Sequence, residues 1–129
     1  MRIKEIKSKK APLPVGPYSQ AVKLNNLLFC SGQIGLDPQS GGLVKGGIEK
    51  ETKQVFKNLS AVLVSAKSNF QSVLRVEIFL TNLNDFNKVN EIYAEYFSNK
   101  VKPARVTVEV SKLPKNASIE ISCIAFINK

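Results

Sequence analysis

The segment SIEISCIAFI, residues 118–127, constrains the chain more than any other stretch. Ile119, Ile121, Cys123, Ala125 and Ile127 recur at every second position, the period of a β-strand. Beyond Glu120 and Ser122, the intervening positions are Ile124 and Phe126, so the second face turns apolar as well. A strand apolar on both sides needs a sheet around it and a cover for each face. With 129 residues, 43% of them hydrophobic and 22% charged, the chain has the length and composition to bury such a core in one domain, residues 1–129.

The rest of the chain supplies the partners. Prolines in APLPVGPYSQ (11–20) bar a helix there. Residues 20–24 and 27–31 flank Asn25-Asn26 and read as a hairpin, since asparagine tolerates positive φ. LDPQSGGLVKGG (36–47) is glycine-rich and reads as a loop; no GKS or GKT follows to make a phosphate-binding turn. From Ile48 the period becomes helical: Thr52, Val55, Phe56, Leu59, Val62, Leu63 and Ala66 follow at three- and four-residue steps. VLRVEIFL (73–80) reads as a buried strand. Asp85 or Asn84 is placed to cap a second helix with the stripe Phe86, Val89, Tyr93, Tyr96 and Phe97. Pro103 ends it, and residues 104–110 alternate as a further strand. This order predicts an α+β fold, a two-layer mixed β-sheet with two helices on one face. Two helices cover one side only, so the bare apolar face predicts self-association.

Composition removes several chemistries. There is no histidine, which excludes a Ser-His-Asp or Cys-His triad and any histidine-bearing zinc site. Cys30 and Cys123 both lie in strand-like runs and read as buried small hydrophobes. No apolar run is long enough to cross a membrane, and no signal peptide is visible, so a cytoplasmic protein is expected. The net charge of +9 favours anionic partners in general. Yet +4 of it lies in the first ten residues, with no interleaved aromatics and no RNA-binding motif, which speaks against a nucleic-acid surface.

The charges set among apolar strand residues are Arg75, Glu77, Arg105, Glu109 and Glu120. Charges there are rare unless paired, so one reading joins them to one another across adjacent strands. The other makes Arg105 a planar fork for a ligand carboxylate and Glu120 a base that places a water. From spacing alone both stay open.

GPYSQ (16–20), CSGQIG (30–35), LNDFNKVNEIYAEYF (83–97), PAR (103–105), VEVSKLPK (108–115) and IEISCIA (119–125) together resemble the signature blocks of the RidA-type reactive intermediate deaminases, the YjgF-type family. They occur in family order and cover nearly the whole chain. The resemblance implies a chorismate-mutase-like fold assembled as a homotrimer, with clefts between subunits. It implies hydrolysis of 2-imino acids (2-aminoacrylate with its tautomer 2-iminopropanoate, and 2-iminobutanoate) to 2-oxo acids and ammonia, with no cofactor and no metal. Carried over by position, Arg105 is the carboxylate-binding arginine and Glu120 the water-holding glutamate. Tyr18, Ser31, Gly32, Asn90 and Thr107 fall on substrate-binding positions.

The sequence departs from the family pattern at three places. Lys102 stands where an aromatic is common, Val106-Thr107 replace Ser-Cys, and Ser122-Cys123 replace Glu-Ala. Two other readings stand beside the deaminase. One is a nucleic-acid interaction of the endoribonuclease or translation-inhibitor kind described for some relatives. The other is a carboxylate-binding or chaperone-like module without turnover, for which a water-placing Glu120 is superfluous.

Overall fold

The computed structural model describes residues 2–128. Its elements are β1 (Lys4–Ile6), β2 (Ala21–Leu24), β3 (Leu27–Gln33), α1 (Gly47–Ser65), β4 (Val73–Leu80), α2 (Phe86–Tyr96), β5 (Ala104–Glu109) and β6 (Ile119–Phe126). The doubly apolar strand β6 takes an interior place, as its composition requires: the single six-stranded sheet runs β1-β2-β3-β6-β4-β5. Among the described residues only β4 and β5 are parallel, with α2 as their crossover; every other pair is antiparallel. This is the mixed α+β sheet expected.

Both helices lie on the same side. On β6 the buried side chains are Ile119, Ile121, Cys123 and Ala125; on β4 they are Val73, Val76, Ile78 and Leu80. They pack with Leu28 and Cys30 of β3 against Val55, Phe56, Leu59, Val62 and Leu63 of α1 and Val89 and Ile92 of α2. At the centre of the helix layer Phe56 is fully buried, its ring stacked on Tyr96 at 4.4 Å between centroids and edge-on to Phe70, Tyr93 and Phe97. The opposite sheet face carries Leu27, Phe29, Val108 and Phe126, each about two-fifths exposed, and no described element covers it.

Local details sharpen the sequence reading. Asn25 takes positive φ, 55°, in the turn that pairs Leu24 with Leu27. Helix α1 starts from Gly46 at φ 119°, a conformation that a side chain would strain. Asp85 holds the N-cap position of α2, as expected, but its side chain makes no capping hydrogen bond. Asn82 accepts the Asn84 N–H at 3.0 Å over a short 3-10 turn, Leu83–Asp85, that leads into the helix. Strand β1 was not expected: three residues with one apolar side chain show no period, and pairing with β2 makes them a strand. Ile92, absent from the expected α2 stripe, is buried. No helix among the described residues is long and apolar enough to cross a membrane.

Replacing Phe56 by Ala removes the ring on which four other aromatics converge. The variant should lose about 3–5 kcal/mol, read as a lower urea midpoint with the slope of the transition unchanged.

Candidate functional site

Register places the seven candidate residues in two separate clusters. In the parallel β4–β5 pair, Arg105 lies beside Val76 and Thr107 beside Ile78, both fully buried, so both candidates point to the helix side. Glu120 lies beside Phe79, between fully buried Ile119 and Ile121, and points to the open face. The two are two strands and three residues apart, with Cα atoms roughly 14 Å distant, on opposite sides of the sheet. Within one chain they do not meet.

The first cluster is built by β5 and α2. Arg105 donates from Nη1 to Asn90 Oδ1 at 2.8 Å. Its guanidinium carbon lies 4.8 Å from the centre of the Tyr93 ring and 5.5 Å from that of Phe86. Residues 86, 90 and 93 share one face of a helix, which is why three consecutive turns reach the same arginine. Ring faces attract a cation without neutralising it, and Asn90 is a neutral acceptor. Among the described residues no carboxylate pairs with Arg105. Burial pushes the Tyr93 hydroxyl above its ordinary pKa, with the charge of Arg105 working the other way. Thr107, two residues on, carries a buried Oγ1 with no hydrogen-bond partner among the described residues. It lines an open groove of about 450 Å³ with Leu83, Phe86 and Asn87.

The second cluster is built by β3, β6 and the Pro-rich turn. Glu120 borders a small cavity of about 50 Å³ with Pro14, Tyr18, Gly32 and Pro114, enough to hold a water molecule. A Cβ on Gly32 would stand 2.6 Å from Glu120 Oε2 and force the carboxylate aside, so the carboxylate's seat requires glycine. Ser31 donates its hydroxyl to Ser19 O at 2.6 Å, and its N–H to Gln20 O at 3.0 Å, fastening the turn to β3. Tyr18 is exposed; its hydroxyl accepts the Val15 N–H at 3.2 Å. Burial raises the Glu120 pKa, and no cation pairs with it among the described residues.

The remaining strand charges find contacts within the chain, but not the ion pairs across adjacent strands that the pairing alternative expected. Arg75 lies 3.8 Å from Glu77, which also accepts from Ser122 Oγ at 3.1 Å. Glu109 accepts the Leu83 N–H at 2.8 Å, tying β5 to the turn before α2. Among the described residues Arg105, Glu109 and Glu120 have no ionic partner, and of these only Arg105 and Glu120 are partly buried.

Three contributors went unnoticed in the sequence reading of the site. Phe86 and Tyr93 were read as core stripe, although their spacing around Asn90 also describes a clamp. Glu51 is buried in α1 and accepts the Ser118 N–H at 2.8 Å, holding the start of β6 two residues before Glu120. A carboxylate falling inside an apolar helical stripe was the signal for it.

Comparison with known proteins identifies the family of the chain. The family described as Endoribonuclease L-PSP matches residues 8–127. A RutC family protein of Pyrococcus abyssi is 50% identical over 119 residues, covering 92% of this chain and 93% of its own length. The human 2-iminobutanoate/2-iminopropanoate deaminase is 47% identical over 120 residues, 93% of this chain and 87% of its own. The crystal structure of YyfA, a Rid-family protein of Yersinia pestis, has a TM-score of 0.95 and 48% identity, covering 98% of this chain and 100% of that one. The chain therefore belongs to the Endoribonuclease L-PSP family, the family of the RutC and YjgF-type Rid proteins.

Proposed function

We propose that this protein is a hydrolytic deaminase of reactive 2-imino acids, acting in a cleft where Arg105 of one copy faces Glu120 of the next in a homotrimer. The observation that carries this reading is Arg105 itself: a half-buried cation given ring faces and an amide, but no carboxylate, among the described residues. A substrate carboxylate completes such a fork with two parallel hydrogen bonds. The human relative's name supports the substrate class. Glu120 lies on the open sheet face, where Leu27, Phe29, Val108 and Phe126 leave an apolar surface for a second copy.

The chemistry needs little beyond position. A 2-imino acid is protonated near neutral pH and is already an electrophile at C2. Arg105 holds its carboxylate, with the free Thr107 hydroxyl and Asn90 beside it. Glu120 holds a water against C2 and takes its proton as oxygen bonds to carbon. The proton passes to nitrogen, the C–N bond breaks, and ammonia leaves a 2-oxo acid. Burial raises the Glu120 pKa, which makes its carboxylate a stronger base. Tyr18, Ser31 and Gly32 shape the water side of the cleft.

A second reading, nucleic-acid binding, draws on the family's endoribonuclease description and on a groove of about 560 Å³ lined by Lys7, Lys9, Lys10 and Lys57. Phosphate contacts would make its affinity fall steeply with salt. A flat salt response, or no binding, sets that reading aside.

Supplied with 2-aminoacrylate from a serine or cysteine lyase, the protein should accelerate pyruvate formation over the spontaneous reaction. No acceleration removes the deaminase reading. Arg105→Ala should lose at least about 100-fold in kcat/KM while keeping its sedimentation coefficient.

Glu120→Gln should lose about 10²–10⁴-fold in kcat. Its stability should move the other way. A carboxyl whose folded pKa is raised keeps its proton longer in the folded state than in the unfolded chain. Wild-type stability therefore falls as pH rises through the interval above the unfolded value of about 4.3. At neutral pH the glutamine variant should melt at or above the wild-type temperature, and thermal melts from pH 4 to 7 check the sign.

Sedimentation should give a trimer. Mixed trimers of Arg105→Ala and Glu120→Gln chains, refolded together in equal amounts, should regain up to about a quarter of wild-type activity, because a shared cleft can draw its arginine and glutamate from different chains. No recovery in verified mixed trimers would overturn the shared cleft.

A further inference from the structure

Cys30 and Cys123 are direct partners in the antiparallel β3–β6 pair. Both are free, and both are turned to the helix side with the buried pair Leu28 and Ala125 next to them. Directly opposed residues of an antiparallel ladder have Cα atoms about 4.5 or 5.5 Å apart. Both values fall inside the range a disulfide accepts, about 4.4–6.8 Å. The facing thiol and burial both push the Cys123 pKa well above its ordinary value, Cys30 being the larger cause.

The position in the sheet is also specific. Cys30–Cys123 is the last regular pair before the β3–β6 register shifts ahead of the Gln33–Ile121 pair. Cys30 directly precedes Ser31 and Gly32, and Cys123 stands three residues from Glu120. A covalent link here would join the two strands that carry the Gly32–Glu120 corner, at the point where their ladder becomes irregular.

From this juxtaposition we infer that Cys30 and Cys123 are a reversible redox modification site, closed to an intrachain cross-strand disulfide by a two-electron oxidant of the peroxide class. The inference stands independently of the imine reading. In the first step a Cys sulfur attacks a peroxide oxygen; the O–O bond breaks, one water leaves and a sulfenic acid forms. In the second step the facing thiol attacks that sulfur, its proton goes to the departing hydroxyl, and a second water leaves. Two S–H bonds and one O–O bond are lost, one S–S bond forms, and the peroxide takes the two electrons. The raised Cys123 pKa and the burial of both thiols make the first step slow, while their facing positions in the ladder make the second intramolecular.

Folded protein incubated with excess hydrogen peroxide for hours, then digested without reductant, reads the outcome. The expected product is a peptide pair linked through Cys30 and Cys123, about 2 Da lighter than the two thiol peptides together and separated again by dithiothreitol. Because the native register accepts the bond, the oxidised protein should also melt several degrees higher. Cys123→Ala should give no linked pair. Recovery of both cysteines as free thiols, as separate sulfinic or sulfonic acids, or in disulfides between chains overturns the inference, as does a linked form that melts lower than the reduced one.

Discussion

Everything about this site follows from the parity of β6. Its odd positions, Ile119 to Ala125, are buried under the helices, so Glu120 and Ser122 must face the other way. A slip of one residue would put a carboxylate under α1 and an isoleucine on the open face, and burial of four apolar side chains opposes it. The neighbours inherit the parity through their registers. On β4 it turns Val76 and Ile78 inward, and on β5 it turns Arg105 and Thr107 inward beside them. The separation of Arg105 from Glu120 is therefore a property of the sheet and not of any one loop.

Arg105 and Glu120, partly buried and without an ionic partner among the described residues, are costly to keep. Arg105 is half-buried with two aromatic faces and one amide, an arrangement that holds a cation in place while leaving most of its donors free. Glu120 is partly desolvated without a cation. A chain selected for stability alone would pair such charges, as it does for Arg75 with Glu77. The Thr107 hydroxyl, without a partner among the described residues, adds a second unsatisfied group on the Arg105 side of the sheet. Concentrations of uncompensated polarity of this kind belong to sites that a ligand completes.

Most of the architecture was legible because it rests on periodicity. The helical stripe from Ile48, the hairpin at Asn25-Asn26 and the doubly apolar last strand each state their burial in the order of residues, and the fold assembles them as read. What stayed out of reach depends on contacts distant in sequence. The KEI strand exists only because β2 offers it a ladder. The capping side chain is Asn82, on the turn before α2, because a 3-10 turn precedes the helix. At the site, alternation put Arg105 and Glu109 on one face of β5, but could not say whether that face looked at helices or solvent. Residue types and blocks pointed to Arg105 and Glu120 together. Only strand order and register reveal that the pair cannot meet within one chain.

On the proposed reading, that incompleteness ties assembly to chemistry. The open face displays Leu27, Phe29, Val108 and Phe126 around strands whose polar members include Glu120 and Glu77. A second copy seated on this face would bury the apolar residues and at the same time desolvate Glu120 further, raising its basicity for the role proposed for it. The same docking would bring the edge strand β5, with Arg105 held between Phe86 and Tyr93, towards a surface that has no cation of its own beside Glu120. Association driven by apolar burial would then set the distance between the anchor and the base, and the sheet's rigidity would keep it. An imine needs little more from its catalyst, because it brings its own electrophilic carbon and asks only for orientation and one well-placed water.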